Sequence, residues 1–252
     1  MDRLLEYLSA VGVAPMELVP VLAAVILAGV VRGFSGFGAA MILMPVYSAV
    51  FGPLIAVPLM GLADSIVTSP MVASAMRRCT WREVLPLAAG AIFLLPVGVH
   101  VLSIADPLVL RWAMSLFVLA GVLVLISGWR YRRRAPIPAT TGIGAAAGFC
   151  SGLLGMSGPI IVLFWLAGQS NAAQARANII AYFGLSAVIA ITTYWLRDLL
   201  TAKVLVLAVI VAPAYALSLF IGTRLFGKAS EETYRRVAMS IIALVAIGSL
   251  FA

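Results

Sequence analysis

Apolar residues run along this chain in stretches of helical length, interrupted by short clusters of arginine, glycine, proline and small polar residues. The interruptions mark apolar segments at about 16–33, 38–51, 54–77, 81–104, 107–129, 136–151, 157–169, 172–196, 199–223 and 232–252. Several reach the ~20 residues that an α-helix needs to cross a bilayer. Segments 38–51 and 157–169, of 14 and 13 residues, do not, and predict helices that pass only part of the way through.

The interruptions repeat. Sliding the chain over itself by 119 positions brings Gly33 onto Gly152 and Gly36 onto Gly155, a G-x-x-G ahead of each short segment. Arg78 then falls on Arg197, the 78–82 loop on 197–201, and the 105–107 turn on 224–226. The pattern predicts an internal duplication, 16–129 against 135–248, argued from boundaries more than from identities.

The charges orient it. If 16–51 and 136–169 are hairpins that enter the membrane and return, loops 77–82, 129–135, 170–177 and 224–236 share the cytoplasmic side and hold twelve of the seventeen Lys and Arg residues. If each pair instead crosses once, the asymmetry falls to ten against six. The expected fold is therefore an all-α polytopic membrane protein of two inverted repeats. Each is a re-entrant or broken helical hairpin followed by three transmembrane helices.

Composition agrees and excludes the soluble classes: the chain is 63% hydrophobic and 10% charged, too little polar surface for a soluble globule of 252 residues. Its net charge of +8 gathers in loops such as RRCTWR (77–82) and WRYRRR (129–134), a positive-inside pattern that faces lipid headgroups rather than nucleic acid. The opening stretch has no small-residue cleavage pattern, so the first helix is expected in the mature protein. Cys79 and Cys150 lack disulfide or metal spacing, soluble catalytic motifs are absent, and no cofactor or metal is expected.

Chemistry is expected at the hairpin tips, 33–37 and 152–156, where broken backbone near the midplane must line protein or a wet cavity. The short arms that follow would aim their N–H groups and positive dipole ends into it, which suits an anion. Gly33, Gly36, Gly155 and Gly158, with Ser35, Ser151 and Ser157, form the candidate site. Gly29, Gly33, Gly144, Gly148 and Gly152 also have the small-xxx-small spacing of packed membrane helices, so packing is an alternative.

Arg32 either complements the carbonyl end of its half-helix or receives a substrate anion; the equivalent position in the second half is Ser151. Asp64 either neutralises Arg32 or carries a proton during transport, and its counterpart is Phe183. Asn178 either hydrogen-bonds substrate or joins helices. His100 and Trp81, Trp112, Trp129 and Trp195 read as interfacial residues.

GFSGFGAAMILMP (33–45), GFCSGLLGMSGPIIVLF (148–164) and the basic linker WRYRRR together resemble the TauE/SafE family of sulfite and organosulfonate permeases. The resemblance implies a carrier of the bacterial inner membrane for small sulfur-containing anions such as sulfite, sulfoacetate or related sulfonates. Family members often have a longer glycine run in the first half, where this chain has Gly38, Ala39 and Ala40. The expected activity is secondary transport by alternating access, with the small anion, the lipid bilayer and protons as partners. An anion channel using the same tips as a filter is the alternative, weakened by the lack of a repeated ring of charge. A membrane enzyme lacks paired catalytic groups.

Overall fold

A computed structural model describes residues 15–126, 136–166 and 172–226. These form nine helices: α1 (Pro15–Ser35), α2 (Ala39–Phe51), α3 (Pro53–Met76), α4 (Trp81–Ile104), α5 (Pro107–Ile126), α6 (Ile137–Leu154), α7 (Gly158–Leu166), α8 (Ala172–Leu196) and α9 (Ala202–Phe226). Six of them, α1, α3, α4, α6, α8 and α9, are long and apolar enough to cross a bilayer. The architecture is all-α and multi-span. The segment 232–252 and the WRYRRR linker lie outside the described residues.

Local chemistry sets the helix starts. Pro53 opens α3 after Gly52, and Pro107 opens α5 after Asp106, whose Oδ1 accepts the Leu108 N–H at 2.7 Å. The breaks fall at 36–38 and 155–157, beginning three residues later and ending one residue later than the sequence pattern places them. Gly36 (φ 82°), Gly38 (φ 92°) and Gly155 (φ 68°) adopt left-handed backbone there, which costs glycine nothing. Gly33 and Gly152 remain helical because each lies against another helix's backbone, where the lack of a side chain permits close approach.

The helices form two oppositely directed sets. Contacts advance together along α1 and α9, Gly29 facing Tyr215 and Ser218, then Gly33 facing Leu219 and Thr223. They do so along α3 and α9 as well, from Asp64 with Tyr215 to Met71 with Thr223. In the other set Gly144, Gly148 and Gly152 of α6 face Leu87, Ala91 and Leu95 of α4 in turn, and α4 meets α8 through Thr80 with Asn178 and His100 with Arg197. Between the sets, α3 and α8 are antiparallel: Gly61 meets Tyr194 and Val72 meets Gly184. Because α1 and α3 point the same way, α2 between them must bring the chain back. The same holds for α7 between α6 and α8.

Glycine crossings of the same kind recur at two fixed spacings along the chain. Gly222 of α9 faces Val30 O and Phe34 N, and Gly98 of α4 faces Phe149 O and Leu153 N, pairs 119 positions apart. Gly33 and Gly152 face Leu219 and Leu95, and Thr223 and Val99, pairs 124 positions apart. The contacts on α1 and α6 thus recur at a spacing of 119, and those on α4 and α9 at a spacing of 124. The turn expected at 224–226 is correspondingly absent, because α9 continues to Phe226.

Candidate functional site

Arg32 lies in the last turn of α1 and is 4% exposed. Its Nε and Nη2 donate to Asp64 Oδ1 and Oδ2 at 3.1 and 2.8 Å, a bidentate pairing, and its Nη1 donates to the Gly36 carbonyl. The guanidinium carbon lies 4.6 Å from the centre of the Phe183 ring, which adds a cation–π contact. Asp64 is half-way along α3, and Tyr215 Oη of α9 donates to its Oδ1 at 2.6 Å. Three donors therefore hold one carboxylate. Two charges that would each be costly in the bilayer cancel inside the bundle, the arrangement in which intramembrane charge is tolerated.

Beside this pair is a cavity of about 80 Å³. The first break contributes Gly38, Ala39 and Ala40, and the second contributes Ser151, Gly155, Ser157 and Gly158. Helix α3 supplies Gly61, Asp64 and Ser65, and α8 supplies Phe183, Ala187 and Tyr194. The first turns of both short arms, α2 and α7, thus face one space. The leading N–H groups of a helix have no intrahelical acceptor, and no side chain caps α2, so the cavity has a positive electrostatic bias although Arg32 and Asp64 balance. Among the described residues no group of three or more His, Cys, Asp or Glu side chains is placed to hold a metal.

The TauE/SafE sulfite exporter family matches residues 21–249. The chain belongs to that family. A TauE/SafE relative, the probable sulfite/organosulfonate exporter TauE of Cupriavidus necator (strain H16), is 28% identical over 227 residues, covering 85% of this chain and 86% of that one. No solved structure matches the chain. TauE/SafE membership together with six bilayer-length helices makes this a multi-span membrane transport protein.

Of the positions that the sequence singles out, Arg32, Asp64, Ser151, Gly155, Ser157 and Gly158 meet at the cavity of this TauE/SafE protein. Gly33, Ser35, Gly36 and Asn178 are not among its lining residues. The Gly33 carbonyl accepts from Arg176 Nη2 at 2.6 Å and Thr223 Oγ1 at 3.4 Å. Ser35 Oγ accepts the Phe37 N–H at 3.2 Å and lies 2.7 Å from the Val31 and Phe37 carbonyls, so it braces the break. Gly36 supplies the turn and the carbonyl that Arg32 holds. Asn178 joins helices: its Oδ1 accepts from the Thr80 N–H at 2.7 Å, and its Nδ2 donates to Glu83 Oε2, which also accepts from Trp165 Nε1.

Phe183, Ser186 and Tyr194 in the cavity lining, and Tyr215 on Asp64, are among the residues that sequence reasoning did not find. Aromatic residues are common in apolar helices, and nothing in their spacing separates cavity from core. The only signal was indirect, since Phe183 is the register partner of Asp64. Trp112 and Trp195 are 65% and 68% exposed near helix ends, and His100 Nδ1 lies 3.2 Å from Arg197 Nη1. Trp129 lies outside the described residues.

Proposed function

We propose that this protein is a secondary transporter of small sulfur-containing anions, sulfite or short organosulfonates such as sulfoacetate, working by alternating access in the bacterial inner membrane. The observation that carries the reading is the Arg32 guanidinium, which already holds an oxyanion group, the Asp64 carboxylate, bidentately in the cavity wall. A sulfite or sulfonate presents oxygens to the same fork. The N-termini of α2 and α7, with Ser151 and Ser157, complete an anion site from the opposite side. Family membership and the name of the Cupriavidus relative point to the same substrate class.

In this mechanism the substrate and Asp64 compete for Arg32. When Asp64 takes up a proton it releases the guanidinium to the substrate anion, so the site exchanges one negative partner for another and the buried charge stays balanced. The chain is read as two inverted repeats, supported by the antiparallel run of α3 against α8 and the matched glycine crossings. Access alternates as one set of helices moves against the other around the fixed cavity.

Purified protein in proteoliposomes tests this. Saturable sulfite or sulfonate flux that responds to a pH gradient is expected, with flux lost in Arg32→Ala. Unchanged flux in Arg32→Ala sinks the anion site, and non-saturating flux indifferent to the pH gradient replaces the carrier by a channel.

A further inference from the structure

The cavity is displaced toward one end of the bundle. Its α3 lining falls between Val57 and Ser65 and its α8 lining between Phe183 and Tyr194, the first half of one helix and the second half of the other. Because α3 and α8 are antiparallel, both halves lie toward the same face, and the positive-inside pattern of the 77–82 loop predicts that it is the outer one.

The opposite halves are packed. Gly36 at the first break lies against α8, where an added Cβ would be 3.0 Å from Arg176 Cγ and 3.4 Å from Ile180 Cγ1. Gly184 of α8 lies against Val72 of α3, and Thr68, Ile180 and Ala181 are buried. Arg176, in the second turn of α8, donates through Nη2 to the Gly33 carbonyl at 2.6 Å. That carbonyl is in the last turn of α1, and the Phe37 N–H that would complete its intrahelical bond goes to Ser35 Oγ instead. On either side of Arg176, Gln174 Nε2 donates to the Arg78 carbonyl at 2.9 Å and Asn178 Oδ1 accepts the Thr80 N–H at 2.7 Å. The start of α8 is thus fixed to the 77–82 loop and, through Arg176, to the first hairpin.

Resting on the alternating-access reading above, we infer that Arg176 is the cytoplasmic latch of the carrier and that this structure is its outward-facing state. The bond from Arg176 to Gly33 joins the helix set of α4, α6 and α8 to that of α1, α3 and α9, the two bodies whose relative movement changes access. Arg32 holds the Gly36 carbonyl of the same break from the cavity side. Exchange of Asp64 for substrate on Arg32 therefore acts on the tip that Arg176 clamps. Release of Gly33 then opens the path along the inner halves of α3 and α8.

The test reads access rather than flux. In protein lacking Cys79 and Cys150, Ala187→Cys places one thiol in the cavity, and a membrane-impermeant anionic methanethiosulfonate is added to either face of sealed, oriented vesicles. Faster modification from the outer face is expected. Arg176→Met keeps an apolar stem on Gly36 and removes the fork, and Arg176→Gln keeps a shorter polar group. In each, modification from the cytoplasmic face is expected to rise about tenfold, the shift that loss of one charge-assisted hydrogen bond gives. Unfolding temperatures in detergent check that the variants are folded. Modification of the parent as fast or faster from the cytoplasmic face overturns the outward-facing assignment, and cytoplasmic rates unchanged in both variants overturn the latch. Vesicles that show the expected rates yet move neither sulfite nor sulfonate leave the latch standing and overturn the transport reading itself.

Discussion

Gly33 of α1 and Gly152 of α6 meet their partner helices through equivalent atoms: each lies on a carbonyl oxygen, of Leu219 or Leu95, and on the amide nitrogen one turn later, of Thr223 or Val99. At both places the backbones of two parallel helices touch with no side chain between them. Membrane helices have little hydrophobic drive to associate, so such van der Waals contact is what holds the arms.

A methyl group at either glycine would overlap backbone that has no rotamer to change. Gly33→Ala and Gly152→Ala should each destabilise the protein by at least about 1–3 kcal/mol, seen as a lower unfolding temperature in detergent. Gly142, with nothing within 4 Å of its added Cβ, is the control, and Gly142→Ala should be neutral or slightly stabilising.

Removing one partner of the Arg32–Asp64 pair strands the other charge in the bundle. Arg32→Ala and Asp64→Ala are each expected to cost about 3–5 kcal/mol, while Arg32→Met with Asp64→Leu should recover most of that loss. Thermal unfolding of the three variants gives the comparison. The double variant should be folded yet unable to move anions, which separates the pair's structural part from its part in transport.

Asp64→Asn keeps the side-chain shape and an acceptor for Tyr215 while removing the negative competitor for Arg32. Sulfite or sulfonate should bind more tightly in titration calorimetry. Flux of a sulfonate, which unlike sulfite stays ionised near neutral pH, should lose its response to a pH gradient, because nothing at the site then gains or loses a proton. A response equal to that of the wild type would place proton coupling elsewhere.

The shared direction of α1 and α3 puts the start of α1 and the loop after α3 on opposite sides of the membrane. In a protein lacking Cys79 and Cys150, Met16→Cys and Arg78→Cys should react with an impermeant maleimide from opposite faces. The positive-inside pattern predicts that Arg78 is labelled from the cytoplasmic face. Labelling from the same face would instead mean that each broken pair crosses once.

Much of the frame was legible because lipid penalises interruption. Every charge or glycine cluster within an apolar run needs a reason, and this exposed the two breaks and the rare charges Arg32 and Asp64. The position of the breaks was harder to read. Gly33 and Gly36 look alike in sequence, yet one serves a helix crossing and the other a left-handed turn. Asn178 and Ser35 were ambiguous for a related reason: a polar side chain in an apolar helix satisfies backbone or substrate equally well on paper. Tyr215 stayed hidden because its hydroxyl reaches Asp64 only once α3 and α9 are assembled.

The glycine crossings also determine who carries whom. The first hairpin's arm is riveted to α9, and the second hairpin's arm to α4, so each tip travels with a helix encoded in the other half of the chain. Neither half is a mechanical part in its own right. Expressed alone, either would present a bare glycine seam with nothing to close it, and a split version of this protein should work only when both fragments are made together and dovetail.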